Sequence, residues 1–167
     1  MTVTAGPAGA GSAAEIDRDA DAALVKLYAN VPNARQLGDQ ARGILVFPGI
    51  VKAGFLFGAQ YGEGALRRKG TTTGYYNSVA ASYGLQAGVQ VFGYALFFMS
   101  DSALQYLENS AGFELGVGPN LVVLDVGAAK ALTTTTMQNA IYAVFFDQRG
   151  LMAGLGLQGT KISRIDP

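Results

Sequence analysis

Residues 75–107 read YYNSVAASYGLQAGVQVFGYALFFMSDSALQYL, and their spacing decides the class of fold. No charged residue occurs in this stretch before Asp101. Val79, Ala81, Tyr83, Leu85, Ala87, Val89 and Val91 are apolar, while Ala80, Ser82, Gly84, Gln86, Gly88 and Gln90 between them are small or polar. A period of two sends successive side chains to opposite faces, so residues 79–91 read as an unbroken central strand. Helical spacing would place Gln86 and Gln90 on the stripe of Val79 and Tyr83, which argues against a helix. From Phe92 to Phe98 both faces are apolar, so this end is expected to be buried on two sides or to meet another hydrophobic surface.

Upstream, Lys52–Gly70 carries a related pattern. Ala53, Phe55, Phe57, Ala59 and Tyr61 share one face, and Gly54, Gly58, Gly62 and Gly64 fall on the other. Large residues opposite glycines suit a sharply curved sheet, or one approached closely by another backbone. The device recurs in residues 113–118 and 153–157. Residues 44–47, ILVF before Pro48, read as a short buried strand. Arg67-Arg68-Lys69-Gly70 reads as a hairpin turn. Further strands are expected at 113–117, 121–126, around 141–146 and at 151–162, with 133–136 β-prone or an extended loop.

Helices bracket the sheet. Ser12-x-x-Glu15 is a capping box, followed by Ile16, Ala20, Ala23, Leu24, Leu27, Tyr28 and Val31 on one apolar stripe. That stripe is expected to cover the sheet. The polar side is acidic, with Glu15, Asp17, Asp19 and Asp21 against Arg18 and Lys26. A second helix is expected over residues 33–42 with Leu37 and Ala41 inward, and a third from Ser100 or Asp101, ending near Gly112, with Leu104 and Leu107 inward. Segregated helices and strands make the fold class α+β: N-terminal helices followed by a curved, Gly-rich, mainly antiparallel β-sheet or small barrel with one inserted short helix.

The 167 residues suit a single domain over 15–167, with 1–14, small and flexible in composition, as a linker. Half the chain is hydrophobic and the net charge is zero, so nothing draws it globally to nucleic acid. Cysteine and histidine are both absent, which removes disulfides, the thiol nucleophile, and the commonest general base and metal ligand. Neither an apolar signal run behind a basic start nor a convincing transmembrane helix is present. Asp101, Glu108, Glu114, Asp125 and Asp147 are scattered, so no metal site and no cofactor are expected. The chemistry left open is a carboxylate pair such as Glu63 with Glu114, and no enzymatic activity is expected.

Charge is instead distributed along the chain. Residues 43–70 hold four bases and one acid, whereas residues 71–130 hold four acids and one base. Arg67, Arg68 and Lys69, with Lys52 on the same side, read either as a solvated hairpin tip or as a site for anionic lipid head groups. Tyr75 and Tyr76 follow closely, either as interfacial rings or as half-buried sheet residues.

The segments ILVFP, KAGFLFGAQYGEGAL, GYYN, SYGLQAGVQ, LFFMSDSAL, FELGVG and GLMAGLGLQG, in that order between Val25 and Ile162, resemble the SYLF domain. A chain without an appended module is similar to the bacterial lipoproteins of that family. The resemblance implies a lipid-binding domain of anionic phospholipids or phosphoinositide-like head groups at a membrane surface. It also implies a place in the bacterial envelope, with residues 1–14 following a removed lipoprotein signal. Lys52, Arg67, Arg68, Lys69, Tyr75 and Tyr76 are the candidate lipid-binding residues, with Arg35 and Arg42 as further cations. The alternative is a structural module acting through a protein partner or as a homo-oligomer, with the apolar 92–99 end as the docking surface.

Overall fold

The computed structural model describes residues 12–54, 57–83, 89–110, 112–115, 118–124, 140–149, 157 and 159–167. Three helices, α1 (Ala13–Asn30), α2 (Pro32–Gln40) and α3 (Asp101–Asn109), accompany eight strands. These are β1 (Gly43–Gly54), β2 (Phe57–Arg68), β3 (Thr71–Tyr83), β4 (Val89–Phe98), β5 (Phe113–Glu114), β6 (Leu121–Leu124), β7 (Ile141–Arg149) and β8 (Lys161–Ile165). They form one curled half-barrel sheet in the order β5-β8-β3-β2-β1-β4-β7-β6, so the α+β expectation holds and the sheet is open rather than closed. Every pairing is antiparallel except β6 with β7.

The long alternating stretch is not one strand. β3 ends at Tyr83, β4 begins at Val89, and β2 and β1 lie between them in the sheet. Period two identifies extended backbone but not where a chain leaves one sheet position for another. Val79 and Ala81 on β3 share the outer face with Val91 on β4, so the alternation stays in phase across both strands. The face assignment holds for Ala53, Ala59 and Tyr61, since Ala53 pairs with Ala59 across the β1–β2 hairpin, whereas Phe55 lies outside the described residues. Residues 151–156 and 133–136 lie outside the described residues; of the strand expected over 151–162, residues 157, 159 and 160 are described and are not strand, and β8 begins only at Lys161.

Two faces result. The inner, concave face gathers Leu45, Phe47, Ile50, Leu66, Tyr76, Phe92, Tyr94, Leu96, Phe98 and Phe145, and α3 closes part of it with Ala103, Leu104 and Leu107. Ser100 caps α3 by accepting a hydrogen bond from the Ala103 amide at 3.2 Å. A bulge at Pro48-Gly49 lets Phe47 and Ile50, three residues apart, both face inward. There the glycines of β2 act as expected. A Cβ on Gly62 would lie 2.8 Å from the Gly49 carbonyl oxygen, and one on Gly64 would meet the Val46 carbonyl oxygen.

The outer face is covered by α1 and α2. Ile16, Ala20 and Ala23 pack on Val46 and Ala65. Leu27, Val31, Ala34 and Leu37 pack with Ala95, Phe97, Tyr142 and Val144. The Ser12 cap forms: its hydroxyl accepts from the Glu15 amide at 3.2 Å and donates to the Glu15 carboxylate at 3.2 Å. Pro32 occupies the first turn of α2, where its missing N–H costs nothing. β4 is covered on both sides, and every residue from Phe92 to Phe98 is buried, as its sequence predicts.

Candidate functional site: a basic sheet end and an acidic groove, divided by helix α1

Helix α1 crosses the outer face over Ala65, and its flanks differ. Outer-face residues of β2 alternate as Glu63, Ala65 and Arg67. Ala65 lies beneath the helix, so Glu63 emerges on one side of it and Arg67 on the other.

On the Arg67 side the helix is latched to the sheet. The Arg67 guanidinium donates from Nη1 to the Asp21 carboxylate and from Nη2 to the Asp17 carbonyl at 2.9 Å. The Asp17 carboxylate accepts from the Thr72 hydroxyl and the Tyr75 hydroxyl, both at 2.8 Å. Burial first, then this bond to Asp17, raises the Tyr75 phenol above its ordinary pKa. Arg67 is only 10% exposed along its side chain, so it belongs to this latch and not to an open head-group site.

The rest of the sequence-predicted set is dispersed. Arg68 ends β2 on the inner face, 3.8 Å from Glu108 of α3. Lys69, not the whole Arg67–Gly70 run, makes the turn, with φ 53 and Gly70 beside it. Lys52 pairs with Gln60, seven residues along β2 from Arg67 and therefore roughly 23 Å from that residue. Tyr76 is buried inside the sheet, and burial raises its pKa while Arg164 lowers it. Tyr75 is held by Asp17. The expectation of one exposed patch of Lys52, Arg67, Arg68, Lys69, Tyr75 and Tyr76 is corrected in this respect. Strand register separates Lys52, and strand alternation sends Arg67 and Arg68 to opposite faces. Glu63 and Glu114 do not converge either; β3 and β8 lie between their strands, a separation of about 14 Å.

Sheet register does gather other cations near the turn. Gly43, next to Arg42, pairs with Phe98, and Ile44 pairs with Arg67. Tyr76 pairs with Arg164. Arg42, Arg68, Lys69 and Arg164 therefore share one end of the sheet. Two of them have an acid within ion-pair range, Asp101 3.8 Å from Arg42 and Glu108 3.8 Å from Arg68, and in the Arg42–Asp101 pair both side chains are mostly exposed. Arg164 was missed in the sequence because nothing local announces that β8 pairs with β3.

Across α1 the character reverses. A groove of 770 Å³ runs between the helix flank and the distal outer face of the sheet. Its floor includes Val51, Ala53, Ala59 and Tyr61. Val51 and Tyr61 are exposed to 44% and 41%, and Val79, paired with Tyr61, is exposed alongside. Glu15 and Asp19 of α1, Glu63 of β2 and Asp147 of β7 line the rim with Lys26. Asp147 sits at φ 54 beside the β4–β7 register shift and lies 3.5 Å from Lys26.

Among the described residues no group of three acidic side chains converges to hold a metal ion. No helix among them is long and apolar enough to cross a membrane. No curated protein matches the chain. The family model described as "Ysc84: Las17-binding protein actin regulator" matches residues 79–166, more than half of the chain. These residues comprise the last five residues of β3, then β4, α3 and the remaining strands through β8, and the chain belongs to the Ysc84 family, the SYLF family that its motifs resemble.

Proposed function

We propose that this domain is a non-enzymatic, peripheral membrane module that recognises anionic phospholipid or phosphoinositide-like head groups through the basic end of its sheet. The observation that carries this reading is the convergence of Arg42, Arg68, Lys69 and Arg164 at that end. Lys69 is exposed at the hairpin tip, and the 3.8 Å ion pairs of Arg42 and Arg68 are too long and too exposed to hold those cations from another anion. A location at the bacterial envelope is part of the same proposal.

The test is flotation with vesicles of phosphatidylcholine alone or containing phosphatidylglycerol or cardiolipin. Each basic residue near an anionic surface contributes about 1 kcal/mol. Replacing Arg68, Lys69 and Arg164 together by alanine should then weaken binding on the order of 100-fold. High salt should weaken the wild type in the same direction. Equal flotation of the variant would remove the site from this end of the sheet. Failure to float with any anionic vesicle would end the lipid reading.

A further inference from the structure

We infer that the groove on the other flank of α1 is a docking site for a cationic, apolar-bearing segment of a protein partner. It is independent of the head-group site, since α1 lies between them. Two features of the groove select this occupant.

The first is the floor. Val51, Tyr61 and Val79 present neighbouring apolar surface on three adjacent strands, each more than 40% exposed. The small Ala53 and Ala59 leave the floor low. Such a surface gains by burying apolar side chains of a ligand.

The second is the sign of the rim. Among the described lining residues, Glu15, Asp19, Glu63 and Asp147 supply four carboxylates against one ammonium, that of Lys26, which lies beside Asp147. Glu15 and Asp19 stand one turn apart on α1 and so form one wall of like charge. An anionic head group would be repelled here, and an uncharged apolar ligand would leave the rim unused. A lysine- or arginine-bearing segment complements both rim and floor, its aliphatic stems lying over Val51 and Tyr61 and its charged heads reaching the carboxylates.

Fluorescence anisotropy of the whole chain with a labelled peptide of alternating lysine and leucine tests this, beside a glutamate–leucine peptide of equal length. The expected result is saturable, salt-sensitive binding of the lysine peptide alone. Glu15→Gln, Asp19→Asn and Glu63→Gln together should weaken it about tenfold. Val51→Asn should also weaken it. Lys26→Gln should tighten it, a change of sign that loss of folding cannot mimic. The Arg68, Lys69 and Arg164 alanine variant should bind as the wild type does. Absence of binding, equal binding of both peptides, indifference to the rim triple, or weakening by Lys26→Gln would overturn the assignment.

Discussion

Replacing Arg67 by alanine should lower stability by about 2–3 kcal/mol, a figure that follows from its surroundings. Loss of one partner from a fully buried ion pair costs about 3–5 kcal/mol. Here the guanidinium is 10% exposed, but Asp21 is 66% and Asp17 is 36% exposed, so water can resolvate the acids left behind. Two charge-assisted hydrogen bonds, discounted for that screening, contribute about 1 kcal/mol each. Burial of the aliphatic stem under α1 adds up to about 1 kcal/mol. With a urea slope of about 2 kcal/mol/M, the unfolding midpoint should fall by about 1–1.5 M. Circular dichroism during urea titration measures this directly. The Asp21→Ala variant and the double variant complete a cycle, in which the two losses should not add, because the Arg67 guanidinium donates to the Asp21 carboxylate. A midpoint within about 0.2 M of the wild type, or strict additivity, would refute the latch. Below its transition, folded Arg67→Ala should still float with anionic vesicles. Unchanged stability with abolished flotation would mean instead that Arg67 serves binding and not docking of the helix.

Other perturbations probe the sheet itself. Gly64→Ala should cost about 2–3 kcal/mol in urea unfolding because its Cβ meets the Val46 carbonyl on the neighbouring strand, whereas Gly49→Ala, with open space around it, should stay within about 0.5 kcal/mol. Ser78→Ala should cost about 1–3 kcal/mol by orphaning the fully buried Tyr94 hydroxyl, 2.6 Å away, and adding Tyr94→Phe should recover much of the loss. Burial, reinforced by Asp39 and opposed by Arg35, raises the Tyr28 phenol from 10.0 to about 12. The native state therefore keeps this proton after the unfolded chain has lost it. Stability should be independent of this group below pH 10 and should fall as pH rises from 10 to about 12. Urea midpoints across that range should decline less steeply in Tyr28→Phe, and an identical slope would exclude the assignment.

Local features were legible in the sequence because their causes are local. The Ser12 cap, the Ser100 cap, the apolar stripe of α1 and the two-sided burial of 92–98 each follow from residues a few positions apart. The glycines of β2 could be assigned to one face, but not to the bulge at Pro48-Gly49 that they accommodate. Strand pairing was the limit. Nothing in residues 79–91 announces that β2 and β1 separate β3 from β4, and nothing near Arg164 announces its place beside Tyr76.

The charge pattern shows the same limit with a functional consequence. Four acids on α1 look like one solvated face when the helix is considered alone. Once the helix lies across Ala65, Asp17 and Asp21 turn toward Arg67, and Glu15 and Asp19 turn toward the groove. The small residues at the crossing, Ala20 and Ala23 above Ala65, let the helix approach closely enough for the latch to close. Arg67, the first of three consecutive basic residues, is thereby neutralised, and Arg42 and Arg164, distant in sequence, join Arg68 and Lys69 at the sheet end. A chain with no net charge thus presents a basic end and an acidic groove on opposite flanks of one helix. On the two proposals above, ligands of opposite sign bind without competing for the same residues, so the head-group and groove variants should have separable effects.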